Sequence, residues 1–83
     1  LLGVYPNPFE QLNTLHYSLS SPAQVSISLY DAKGNLVRNL LNQQMQPGIF
    51  SLQLNATDLA QGTYFYKIKI DDRLYAAKVI LAR

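Results

Sequence analysis

The stretch that decides the fold is LAQGTYFYKIKI, residues 59–70. Its residues alternate, so that one face carries Tyr64, Tyr66, Ile68 and Ile70, and the other carries Thr63, Phe65, Lys67 and Lys69. This period of two predicts a β-strand with one buried face and one mostly solvated face. The opening Leu-x-x-Gly-x-Tyr has the form of a tyrosine corner, in which the hydroxyl bonds to upstream backbone and fixes the arch between two sheets. We therefore expect an all-β fold, an immunoglobulin-like antiparallel β-sandwich of about seven strands.

Length and composition predict one small domain, residues 1–83. The hydrophobic fraction of 48% is that of a globular protein, and the net charge of +2 is too small to favour a nucleic-acid partner. The absence of cysteine excludes disulfides and thiolate metal sites. The N-terminus has no signal-peptide pattern and no apolar run could span a bilayer, so we expect a fragment of a larger precursor if the domain is exported.

Alternating segments outside this stretch predict the remaining strands. They cover residues 14–19, 24–30, 36–41, 49–54 and the chain from the last hairpin to residue 81, after an edge strand that ends in Pro6-Asn7-Pro8. Phe9 is expected to fold back onto the core. The residues predicted to face inward are Leu15, Tyr17, Leu19, Val25, Ile27, Leu29, Phe50, Leu52, Leu54, Tyr75, Ala77, Val79 and Leu81.

The connections carry more specific expectations. A three-residue hairpin loop ending at Gly34 would place Leu29 opposite Val37 and Ser28 opposite Arg38. Residues 42–48 are predicted to be a polar loop, and residues 55–58 a short helical turn. The last hairpin needs an even loop of two or four residues, and the sequence alone leaves both open.

No residue pattern indicates catalysis or metal binding. His16 lacks a partner at a catalytic spacing and is interpreted as a solvated strand residue. Asp71-Asp72 could offer carboxylates to a calcium ion, but a solvated hairpin tip explains the pair better. Asn55-Ala56-Thr57 is formally a glycosylation sequon. We therefore expect no enzyme, no cofactor, no nucleic-acid partner and no small-molecule substrate.

Several apolar residues have the parity of the outer faces. They would either be scattered over the surface or form one docking patch, and the sequence does not decide between these arrangements. The residues concerned are Tyr30, Leu36, Leu40, Phe65 and Ile80.

Four segments in order resemble a known family. They are YPNPF at 5–9, LYDAKGNLV at 29–37, LAQGTYFYKI at 59–68 and the basic-apolar end KVILAR at 78–83. Together they closely resemble the type A C-terminal sorting domain of proteins exported by the bacterial type IX secretion system. The resemblance covers almost the whole chain, and the order and spacing of the motifs are more specific than any single one.

The resemblance implies a secretion signal. The outer-membrane translocon and its shuttle barrel would recognise the folded domain in the periplasm of a Gram-negative bacterium, and a sortase-like peptidase would remove it. The cargo would then be secreted or held on the cell surface, often on lipopolysaccharide. Carried over to this chain, the sorting motifs are Pro6, Asn7 and Pro8; Asp31 and Gly34; Leu59, Gly62 and Tyr64; and the terminal strand Lys78, Val79, Ile80, Leu81, Ala82 and Arg83.

Other functions remain open at this point. Parts of the motifs also resemble the immunoglobulin-like domain of flagellar hook-capping proteins, which suggests a structural or assembly module. A carbohydrate-binding module that stacks sugars on Tyr and Phe rings is a third alternative. The position of the domain within its precursor discriminates between these functions, because a sorting domain must end its precursor whereas a structural module need not.

Overall fold

The computed structural model describes residues 2–83, so Leu1 of the predicted domain lies outside the described residues. Within that range there are seven strands and no helix: β1 (Gly3–Tyr5), β2 (Leu12–Leu19), β3 (Ala23–Asp31), β4 (Leu36–Met45), β5 (Gly48–Asn55), β6 (Gly62–Ile70) and β7 (Arg73–Leu81). The prediction of an all-β fold with about seven strands is confirmed. Since residues 2–83 contain no helix, none of them forms a helix that could cross a membrane.

The strands form two antiparallel sheets packed as an immunoglobulin-like sandwich. The first sheet has the order β1-β2-β5 and the second the order β4-β3-β6-β7. In constant-type immunoglobulin domains the fourth strand joins the sheet of the first two. Here β4 pairs with β3 instead, so the second sheet gains a strand and a wider outer face.

The core lies between the inner faces of the two sheets. Every residue predicted to face inward is buried or packs against the buried cluster, and Phe9 is only 1% exposed. The period-two interpretation is therefore confirmed along β2, β3, β5, β6 and β7. Each fully buried Leu or Ile contributes about 1.5–3 kcal/mol relative to an exposed one, so this alternation supplies most of the driving force for folding.

β4 departs from the predicted pairing. The register runs Tyr30↔Leu36, then Leu29↔Arg38, then Ile27↔Leu41, which leaves Val37 and Leu40 as extra residues without partners. These two β-bulges turn the strand, as an inserted residue does in an antiparallel pair. The predicted facing of Leu29 with Val37 and of Ser28 with Arg38 is therefore wrong.

The bulges also change which side chains reach the core. Leu40 was predicted to face outward, but it is partly buried and packs against the core cluster. Arg38 turns toward the first sheet, where its guanidinium binds both oxygens of Asp58 at 2.8 and 2.9 Å and the carbonyl of Asn55 at 3.1 Å. A single period of two could not predict this, because each extra residue reverses the parity of all that follow.

Two of the predicted connections are wrong, and the structure shows which of the two loop lengths left open for the last hairpin occurs. Residues 42–45 continue β4, so the polar loop predicted at 42–48 shrinks to Gln46-Pro47. Residues 55–58 do not form a helix: the Leu59 amide donates to the Ala56 carbonyl at 3.1 Å in one isolated turn, and the Asn55 side chain accepts from the Thr57 amide at 3.1 Å as in an Asx-type turn. In the last hairpin Ile70 pairs with Arg73, so the loop has two residues.

Candidate functional site

The Pro6-Asn7-Pro8 segment is bound along the free edge of β7. The Asn7 side-chain nitrogen donates to the Lys78 carbonyl at 3.1 Å, and the Ile80 backbone amide donates to the Asn7 side-chain oxygen at 3.0 Å. A side-chain carboxamide carries N–H donors and a C=O acceptor, as the peptide backbone does, so Asn7 acts as one residue of an added strand. Two of the predicted motif segments are therefore joined directly.

The next residues extend this contact with main-chain bonds. The Phe9 amide donates to the Ile80 carbonyl at 2.8 Å, and the Ala82 amide donates to the Phe9 carbonyl at 2.9 Å. Phe9 and Leu81 thus form a parallel bridge at the last residue of β7. The covered part of the β7 edge runs from residue 78 to residue 82, and an unpaired edge is what other chains pair with.

A buried polar network fixes the same segment from the other side. Asn13 is 0% exposed, donates to the Pro6 carbonyl at 2.6 Å and accepts from the Tyr66 hydroxyl at 2.7 Å. Burial raises the pKa of Tyr66 far above its usual value, which keeps the hydroxyl protonated as the donor. Asn13 was not among the predicted site residues, although it shares the inward parity of Leu15 and Tyr17, where a polar residue predicts a buried hydrogen-bonding role.

Arg83 ties the end of the chain to two loops. Its guanidinium donates to the carbonyls of Glu10 at 3.2 Å, Ala56 at 3.1 Å and Leu59. Its amide donates to the Gln61 side-chain oxygen at 3.3 Å. β7 ends at Leu81, so Ala82 and Arg83 act beyond the strand rather than within it.

The predicted tyrosine corner has the expected geometry. The Tyr64 hydroxyl donates to the Ala60 carbonyl at 2.5 Å, four residues upstream, and Leu59 packs against the core. Gly62 has φ = 153°, which side-chain-bearing residues rarely adopt. The Leu-x-x-Gly-x-Tyr motif therefore forms the arch between β5 and β6.

Asp31 organises the β3–β4 turn. Its carboxylate accepts from the amides of Lys33 at 3.0 Å and Asn35 at 2.9 Å, and Gly34 takes φ = 88° within this turn. These bonds, led by that from the Asn35 amide, hold the pKa of Asp31 below its usual range. Asp and Gly at this spacing are thus explained by the turn that they make.

The predicted sorting-motif residues converge at one end of the sandwich. Asp31 pairs with Tyr64 across β3 and β6, and Tyr64 pairs with Val79 across β6 and β7. Asn7 lies on the far side of β7, and Arg83 contacts the arch that contains Leu59. Segments far apart in sequence therefore form one continuous end of the second sheet.

Four of the five outward apolar residues lie side by side. The register places Leu36, Tyr30, Phe65 and Lys78 in one row across β4, β3, β6 and β7, and Ile80 lies opposite Thr63 in the next row. Phe65 and Tyr30 are partly exposed, Leu36 is 52% exposed and Ile80 is 37% exposed. Leu40 does not join them, because it packs against the core.

His16 has neighbours that the sequence did not indicate. Its Nδ1 lies 3.0 Å from the Ser51 hydroxyl, and its ring centroid lies 4.8 Å from that of Tyr5. A nucleophile with a base also needs a third group that orients the base and a donor pair for the developing charge. Residues 2–83 contain no cluster of three His, Cys, Asp or Glu side chains that could hold a metal ion. Asp71, of the Asp71-Asp72 pair considered for calcium, accepts a hydrogen bond from the Gln24 backbone amide at 2.9 Å.

The chain resembles a known protein family over almost its whole length. Residues 3–82 match a family model described as the secretion system C-terminal sorting domain. The match includes every motif position discussed above except Arg83. No curated protein matches the chain, and no solved structure matches it.

Proposed function

Because this chain belongs to the type IX secretion C-terminal sorting domains, we propose that it is recognised as a folded unit by the outer-membrane translocon and its shuttle barrel. Sorting domains of this family direct proteins to the cell surface or the medium in Gram-negative Bacteroidetes, and the family is not a catalytic one. In our proposal the domain crosses the periplasm attached to its cargo. A sortase-like peptidase removes it after transport.

The proposal rests on the observation that the motif segments converge at one end of the sandwich. Pro6-Asn7-Pro8 and the arch at Leu59 are each hydrogen-bonded to the terminal segment 78–83. Their relative positions exist only in the folded chain, since they are up to 73 residues apart in sequence. A receptor that recognises this end would therefore bind a folded sorting domain and would not bind the same residues in an unfolded chain.

Export of a reporter tests the proposal. A fusion of a signal peptide, a reporter enzyme and residues 1–83 should reach the cell surface or medium of a type IX-competent host. The same fusion should stay in the periplasm of an otherwise identical host without the translocon. Export in both hosts, or in neither, would overturn the proposal.

Removal of residues 78–83 should trap the reporter in the periplasm. This deletion also takes Val79 and Leu81 from the core, so unfolding alone could retain the fusion. A second variant, Lys78→Ser/Ile80→Ser/Ala82→Ser, changes only exposed side chains of the same segment. It should remain protease-resistant and also be retained, whereas the matched variant Ile49→Ser/Gln53→Ser on the first sheet should be exported. Export of the fusion lacking residues 78–83 would contradict the role of the terminal segment.

A further inference from the structure

The charges of this domain are distributed unequally between its surfaces. Lys67, Lys69 and Lys78 are exposed on the outer side of the second sheet, which we call the lysine face. Within residues 2–83, the outward strand positions of this sheet carry no carboxylate. The five acidic residues occupy turns and loop ends: Glu10, Asp31, Asp58, Asp71 and Asp72.

The lysines are not neutralised by the described part of the chain. The ion pair found among residues 2–83 joins Arg38 and Asp58, at the edge facing the first sheet. Lys67 instead places its Nζ 4.2 Å from the centre of the Tyr30 ring. A cation over an aromatic face keeps its charge available to a partner, because the ring carries no net charge.

The lysine face also has an apolar centre. Leu36, Tyr30 and Phe65 are consecutive partners across three strands, and Lys78 continues their row. Lys67 lies in the next row, opposite Ser28, and Lys69 in the row after that, opposite Ser26. An aromatic centre within a charged and hydroxyl-bearing rim is the arrangement found in protein–protein interfaces.

We propose that the lysine face docks onto an acidic protein surface of the secretion machinery, in which carboxylates surround an apolar centre. The inference rests on the proposed function and names the chemistry of the partner. A protein fits better than an anionic membrane, which is recognised by clusters of about four to eight basic residues. It also fits better than a nucleic acid, which requires a denser basic surface.

Charge complementarity of this kind affects the rate of association more than the strength of the contacts in the final complex. Rim lysines steer the approach of an acidic partner, and salt screens them with a Debye length of about 8 Å at physiological ionic strength. Binding should therefore weaken as salt increases. The apolar row should resist salt, so that removing Phe65 lowers affinity at every ionic strength.

The test uses purified translocon–shuttle complex as the probe and the full chain as the analyte. Lys67→Glu/Lys69→Glu should raise the Kd about tenfold or more. The matched variant Arg73→Glu/Ile49→Glu/Gln53→Glu makes the same change in net charge at exposed positions outside the lysine face and the motif residues, and should change the Kd less than about twofold. Equal effects of the two variants, or no effect of either, would overturn the inference.

Two further arms separate the alternatives. Phe65→Thr should weaken binding, whereas Ile49→Thr, at a 78% exposed position of the first sheet, should not. Binding of the chain to vesicles of anionic phospholipid, lost in Lys67→Glu/Lys69→Glu while binding to the complex persists, would replace the acidic protein by a membrane. An unmodified fusion that fails to be exported refutes the proposed function itself, whereas normal export of the Lys67→Glu/Lys69→Glu fusion refutes only this inference.

Discussion

At the residue scale, two asparagines determine how the N-terminal motif is held. Asn7 completes the edge of β7, and Asn13 connects the Pro6 carbonyl to the hydroxyl of Tyr66 inside the core. Side-chain amides suit both positions because each offers a donor and an acceptor in one carboxamide group. The motif segment is therefore fixed by hydrogen bonds that a substitution can remove singly.

Asn13→Ala should lower the free energy of unfolding by about 3 kcal/mol, because it leaves the Tyr66 hydroxyl and the Pro6 carbonyl without partners in a buried site. Urea denaturation measures the change. The exposed Asn39, which accepts from the Ser28 hydroxyl, provides the control, and Asn39→Ala should cost under about 0.5 kcal/mol. In a double-mutant cycle with Tyr66→Phe, the free energy lost by the double variant should be smaller than the sum of the two single losses by about 1 kcal/mol or more. Additive losses would show that the pair does not form a network.

Residues of a distinctive local motif are predictable from the sequence, whereas residues whose partners are distant are not. Leu59, Gly62 and Tyr64 lie within six positions of one another, and the Tyr64 bond to Ala60 stays within that motif. Asn13 bonds Tyr66 across 53 residues, and a period-two pattern does not say which polar residue a buried hydroxyl will meet. Parity could indicate that Asn13 is buried, but not what it binds.

At the element scale, the two hairpins of the second sheet differ in how well sequence determines their register. β6 and β7 pair without interruption, so an even loop and inward parity were enough to limit the choice to two registers. The like-charge contact of Lys67 with Lys78, which a four-residue loop would create, is avoided in the observed register. The β3–β4 pairing contains two bulges, so that Arg38 and Asn39 between them have the reversed parity, and the original parity returns from Leu41 onward.

The β6–β7 turn depends on Asp71, which has φ = 52° and whose carboxylate accepts from the Gln24 amide at 2.9 Å. Asp71→Ala should lower the free energy of unfolding by about 1 kcal/mol, because alanine lacks the acceptor and tolerates this conformation poorly. Asp71→Asn should be nearly neutral, since asparagine keeps both properties. Thermal or urea unfolding measures the differences, with Asp72→Ala as the control at the adjacent exposed position. An equal loss at positions 71 and 72 would mean that the turn geometry is not the cause.

At the scale of the whole molecule, the motif residues and the lysine face lie on adjoining surfaces of the second sheet that share Lys78. The motif residues converge at the end formed by the arch, the β3–β4 turn and the terminal segment, while the lysine face lies on the outside of the second sheet. The fold class followed from strand periodicity. The convergence of the motifs could not be predicted, because it depends on Asn7 and Arg83 contacts between chain ends.

The stability of the whole domain should fall at both ends of the pH range, for different reasons. Hydrogen bonds from Arg38 lower the pKa of Asp58, and the Asn35 amide does the same for Asp31. A lowered folded-state pKa stabilises the fold above the ordinary aspartate value of about 4, and this contribution is lost as the pH falls through the folded value. Burial raises the pKa of Tyr17 and Tyr66. Their contribution is complete below the ordinary tyrosine value of about 10 and is lost as the pH rises from there through the folded value.

Free energies of unfolding measured in urea between about pH 3 and about pH 11 should therefore show a plateau bounded by these two limbs. Asp58→Asn should flatten the acid limb and leave the alkaline limb unchanged, because it removes one titrating carboxylate without touching the core. Tyr17→Phe should flatten the alkaline limb alone, since phenylalanine keeps the buried ring and removes the ionisable hydroxyl. If the acid limb instead moved with Tyr17→Phe, or the alkaline limb with Asp58→Asn, global charge rather than these groups would govern the pH dependence.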